Sequence, residues 1–222
     1  ALRAPPGRAA HAHRWESGIR LPAGGKGIST IEIMNYLSPD VATLGNHELD
    51  YGLEHLLFLE RMANFPIVNA NLYIKKYHKR LMMPHIILKK AGFDILFIGI
   101  ITEKVMDSIS RDSEIGSFIS LEEARGEVGR ICNAYKNNDI DLTVLLTHIG
   151  FDSDRELARM LDPAWGVDMI IGGHSHTILD QPTRTRRRAH RRSHRRSRSA
   201  RTESEDGNAF LPNSTRVSTS NW

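Results

Sequence analysis

From residue 28 onward the apolar positions switch repeatedly between helical and strand spacing, and before it they show neither. Ile28, Ile31, Ile33, Met34 and Leu37 recur near a 3.6-residue period, which predicts a helix stopped by Ser38-Pro39-Asp40. The short apolar run Val41-Ala42-Thr43-Leu44 predicts a buried strand. Residues 52–63 predict a second helix, with Leu53, Leu56, Leu57 and Leu59 facing inwards, and residues 66–70 a further strand. Residues 86–88 and 93–101 read as two strands joined by a tight turn at Ala91-Gly92, the second apolar on both faces and therefore central. Residues 121–138 predict a long amphipathic helix. Residues 152–161 predict another, ended by Pro163. Two more apolar runs, 142–146 and 167–171, read as strands. Strands and helices in alternation predict an α/β fold.

Composition narrows this picture. The 222 residues are 40% hydrophobic, enough for the substantial core of one domain. Cys132 is the single cysteine, which excludes an internal disulfide, and its place in a helical pattern reads as packing. No apolar run is long enough to span a membrane. The net charge of +4 is unevenly spread. Residues 1–26 carry five Lys or Arg against Glu16, and residues 183–222 carry eleven Arg against Glu203, Glu205 and Asp206. An acidic body of about −8 lies between two basic ends. The expected organisation is a disordered basic arm over 1–26, a folded core over 27–182 and a disordered arginine-rich tail over 183–222.

Candidate chemistry sits where the strands end. Gly45-Asn46-His47-Glu48-Leu49-Asp50 follows the run 41–44 and combines an amide oxygen, an imidazole and a carboxylate within six residues. Thr147-His148-Ile149-Gly150 follows the run 142–146, and Gly172-Gly173-His174-Ser175-His176-Thr177 follows 167–171. Open α/β sheets bind ligands at the carboxyl ends of their strands. Histidines and an amide gathered there suit a divalent cation, and a histidine oriented by a carboxylate three residues on suits proton transfer. His55 inside a helix, and His78 and His85 flanking the hairpin, read as ordinary structural residues.

These three motifs, in this order and with helix-sized spacers, resemble the calcineurin-like metallophosphoesterases, in particular the 5′-nucleotidase branch, over residues 27–182. The resemblance implies a four-layer α-β-β-α sandwich, incomplete here, with two metals at the strand ends. Matched by position, it implies that Asn46, His148 and His174 ligate one metal and His176 the other, and that His47 contacts phosphate and assists the leaving group while Asp50 holds its ring. The implied cofactors are divalent ions such as Zn, Mn or Fe, and the implied substrate is a nucleotide or another phosphate ester. A periplasmic or extracellular location is implied by the same likeness.

The chain departs from that family at both ends. The family's upstream Asp-x-His and the Gly-Asp whose carboxylate bridges both metals are missing: no Asp precedes Asp40. After Pro182 the chain turns arginine-rich instead of continuing into strands. One expectation covers both departures: translation out of frame before about residue 24 and after about 182, which sequencing the gene at its source tests. The chain is then an inactive or weakly active core. The alternative reading is a nucleic-acid binder or pseudoenzyme remnant, in which Arg186-Arg187-Arg188 and Arg195-Arg196 neutralise phosphates.

Overall fold

A computed structural model describes residues 27–102 and 119–184. The expectations for the basic arm, and those for the tail beyond residue 184, fall outside the described residues.

Helix α1 (Ile28–Leu37) ends at Ser38, as the Ser-Pro-Asp stop predicts. Strand β1 (Ala42–Thr43) follows, then α2 (Leu53–Met62), β2 (Ile67–Val68), β3 (Leu72–Ile74), β4 (Lys79–Arg80), β5 (His85–Lys90) and β6 (Phe93–Ile101). Strand β7 (Ile119–Leu121), α3 (Ala124–Ala134), β8 (Leu142–His148), α4 (Phe151–Met160) and β9 (Met169–Gly172) complete the order. The strands form a four-stranded sheet β5-β6-β8-β9, a parallel pair β1-β2 and an antiparallel three-stranded sheet β4-β3-β7. In the largest sheet β5 is antiparallel to β6, while β6, β8 and β9 run parallel. The expected central strand is therefore β6, paired on both sides.

Its two faces bury different layers. Leu96, Ile98 and Ile100 of β6 pack with Val128, Ile131 and Cys132 of α3 and with Leu157 and Leu161 at the end of α4. On the opposite face Ile101 joins Leu44, Leu49, Leu56 and Leu72. There the pair β1-β2 crosses β6 so closely that a Cβ at Gly99 would meet the carbonyl group of Val68 well inside van der Waals contact, with Thr43 Oγ1 at 2.7 Å. Helices, sheet and a second sheet thus lie in layers, and the absence of a side chain at Gly99 sets how near the sheets come.

Between the three-stranded sheet and α3 lies Glu127, fully buried. Its carboxylate accepts from Tyr73 Oη at 2.9 Å and Arg80 Nη2 at 2.6 Å, and it pairs with Arg130. A carboxylate removed from water is tolerable only with such partners.

Two local expectations need correction. Leu57 is 36% exposed, whereas His55 is buried, its ring edge-on to Tyr51 with centroids 5.6 Å apart. Four leucines at 53, 56, 57 and 59 span too wide an arc for one helix face, so one must point out. The long helix expected over 121–138 is shorter: residues 119–121 pair with β3 as a strand, and Glu123 caps the helix by accepting from the Arg125 and Gly126 amides. His85 is structural as expected: its Nε2 lies 2.8 Å from Tyr135 Oη and ties β5 to the end of α3.

Candidate metal and phosphate site

The carboxyl ends of β1, β8 and β9 deliver Asn46, His148 and His174 to one place. His148 Nε2 and His174 Nδ1 each lie 3.0 Å from Asn46 Oδ1, so both rings address the same amide oxygen. The two rings stand edge to face with centroids 5.1 Å apart. Burial, reinforced by the nearby His174, His47 and His176, pulls His148 down to about 4. It is neutral at physiological pH, the form in which imidazole binds a metal.

Gly45 makes the approach possible. A Cβ there would stand 2.8 Å from Glu48 Oε2 and 3.0 Å from His148 Cε1. The Glu48 carboxylate turns back to accept from the Gly45 amide at 2.7 Å, locking the turn that carries Asn46. Burial pushes the Glu48 carboxyl up from its usual range, against the backbone hydrogen bonds that favour its charge. Glu48 is a site residue that sequence reasoning passed over, and its only signal was the three-residue spacing from Gly45.

His47 and Asp50 form a separate, outward-facing pair. His47 Nδ1 lies 2.7 Å from Asp50 Oδ2, and the imidazole side chain is 63% exposed. The structure thus brings together His47 with Asp50, and Asn46 with His148 and His174. It does not bring His176 into hydrogen-bonding contact with either group. That residue is exposed, and the backbone at both His174 and His176 has positive φ, at 79° and 52°. A left-handed conformation at two non-glycine residues is strained, and such strain gathers at functional turns.

The donor set can be tested for a cation by its spacing. Two ligand atoms about 2.1 Å from one divalent ion stand about 3.0 Å apart at the right angles of an octahedral site and about 3.4 Å apart in a tetrahedral one. Each ring nitrogen stands 3.0 Å from Asn46 Oδ1, the right-angle spacing, so the donor chemistry and these two separations suit a shared divalent ion. Among the described residues no group of three or more His, Cys, Asp or Glu side chains is placed for a metal; the third member of this set is an amide.

Beneath the cluster lies Asp154, buried in the first turn of α4, with Oδ1 accepting from Thr147 Oγ1 at 2.5 Å. Burial raises its carboxyl to about 6, the Thr147 bond opposing the rise. A raised carboxylate favours the neutral fold, so this contribution to stability is complete below pH 4 and lost as pH rises through about 6. Asp154→Asn is therefore expected to exceed the wild type in stability by up to about 3 kcal/mol above pH 7. The difference should close below pH 4 when urea midpoints are compared across that range.

Donors collected at the carboxyl ends of strands from two sheets match the end at which α/β proteins bind ligands. The sequence profile of the family described as Calcineurin-like phosphoesterase matches residues 21–177. The chain is 37% identical over 153 residues to a 5′-nucleotidase of Vibrio cholerae, a match covering 64% of this chain and 27% of that protein. It is 36% identical over 154 residues to a 5′-nucleotidase-related protein of Glossina morsitans morsitans, covering 68% of this chain and 27% of that protein. The crystal structure of a 5′-nucleotidase precursor from Thermus thermophilus superposes with a TM-score of 0.60 at 29% identity, over 70% of this chain and 30% of that one. The chain belongs to the calcineurin-like phosphoesterase family, a family of metal-dependent hydrolases. It spans about a quarter of the length of the curated relatives it matches.

Proposed function

We propose that residues 27–182 carry a 5′-nucleotidase-type phosphohydrolase site in which Asn46, His148 and His174 hold a divalent cation and His47 serves the leaving group. The convergence of two imidazole nitrogens on one amide oxygen, each at 3.0 Å, is the observation that supports it most directly. When bound, a cation there supplies Lewis acidity to the phosphoryl group and its attacking water.

The rest is the chain's own work. Buried His148 is neutral, so a cation binds it without displacing the extra proton of an imidazolium. Asp50 holds His47 through Nδ1, which fixes the ring and leaves Nε2 to meet the oxygen that departs from phosphorus. The exposure of that pair lets a bulky ester reach it. His176 is the remaining candidate for a second cation, and the metals that suit a mixed nitrogen and oxygen set include Zn, Mn and Fe. Nucleotides are the substrate class this reading favours, and an exported location accompanies it. Among the described residues no helix is long and apolar enough to cross a membrane.

The test is metal content and hydrolysis of 5′-AMP, compared with Asn46→Ala. Loss of the shared amide oxygen is expected to weaken cation binding at least tenfold and to abolish turnover. A wild-type chain that binds no divalent ion and hydrolyses no phosphate ester would leave the pseudoenzyme remnant as the surviving reading.

A further inference from the structure

A carboxylate in the first turn of a helix normally faces water and the helix dipole. Asp154 does neither. It is buried, and its side chain turns away from its own helix towards the ends of two neighbouring strands. Oδ1 accepts from Thr147, the residue immediately before His148. Oδ2 fills the place a side chain at Gly172 would occupy, so closely that a Cβ there would overlap it. Gly172 stands two residues before His174. One buried carboxylate therefore lies against Thr147, next to His148, and against Gly172, two residues before His174.

The surrounding backbone shows what this brace holds. The Gly173 amide donates to Thr147 O at 2.9 Å, the Gly150 amide to Gly173 O at 3.1 Å, and the Phe151 amide to Ser175 Oγ at 3.0 Å. These bonds lace the turn after β8 to the turn after β9. Burying a carboxylate with a single side-chain donor is costly, and a hydrophobic residue would fill the space without that cost but could not grip the Thr147 hydroxyl.

We propose that Asp154 is a positioning residue: through Thr147 and against Gly172 it sets the strand ends from which His148 and His174 meet Asn46. The proposal rests on the function inferred above for its purpose, but the brace itself is a property of the metal-free chain. It is tested by amide hydrogen exchange on the full metal-free chain, followed by Co²⁺ titration, for Asp154→Ala, Thr147→Val and the conservative Thr147→Ser. Exchange at Gly150 and Gly173 should rise at least tenfold in the first two variants while Ile98, in the central strand, stays within about twofold. Co²⁺ should bind those variants about 10–100-fold more weakly, and Thr147→Ser should behave as wild type in both assays.

Unchanged exchange at Gly150 and Gly173, or a rise matched by Ile98, would overturn the proposal, since the second pattern means a general loss of stability. If Asp154→Ala fails to fold, Thr147→Val decides the question alone. A local rise in exchange together with a wild-type chain that binds no Co²⁺ would uphold the brace and sink the metal reading.

Discussion

Replacing His47 with alanine is expected to slow hydrolysis of 5′-AMP by about 10²–10⁴-fold while bound metal stays at the wild-type level. His47 is next to Asn46 in sequence but points elsewhere, hydrogen-bonded to Asp50 and exposed, so its removal spares the Asn46, His148 and His174 cluster. The ribose alkoxide leaving from 5′-AMP needs a proton as the ester bond breaks. The nitrophenolate leaving from p-nitrophenyl phosphate does not. The variant should therefore lose less than about tenfold on the aryl ester, and the contrast between the two substrates isolates proton donation. Equal losses on both would mean that His47 contacts the phosphate without serving as an acid.

Gly99→Ala carries the largest expected loss of stability. The new methyl group would point at the backbone carbonyl of Val68, not at a flexible side-chain end, with Thr43 Oγ1 closing the other side. Relief requires β2 to move off β6, yet Ala70 donates to Gly99 O at 2.8 Å and Thr43 Oγ1 to Val68 O at 2.9 Å. Removing glycine from a strand ordinarily stabilises by about 0.4–1 kcal/mol through the unfolded chain. Overpacking a fixed interface costs about 1–3 kcal/mol, and more where backbone is the obstacle. The second effect wins, and urea unfolding should show a net loss of about 2 kcal/mol or more with an unaltered m-value. A variant as stable as the wild type would mean that the two sheets can part without cost.

Much of the site could be read from residue order because each candidate follows an apolar run directly. Asn46, His148 and His174 come after runs that become β1, β8 and β9; the parallel pair β8 and β9 must send its histidines to one edge, while Asn46 arrives from the separate pair β1-β2. Glu48 and Asp154 were not legible as site residues. Each is an acid early in a turn or helix, where solvent exposure is the ordinary outcome, and their burial depends on distant segments closing over them. The exchange of Leu57 for His55 as the inward residue has a local cause: the ring of His55 packs on Tyr51 and Phe58, its neighbours four before and three after along the chain. Strand β7 is three residues long, too short for any period to announce it.

The two hydrogen bonds that join Asn46 to His148 and His174 close loops of 102 and 128 residues. The β5-β6 hairpin turns over two residues and its register forms locally. Non-local closures come late, since their entropy must be met before their contacts return anything. The cluster is thus an interaction formed after the main folding barrier. A cation that binds only the finished cluster would leave the refolding rate almost unchanged and slow unfolding instead, acting as a kinetic lock on the native chain.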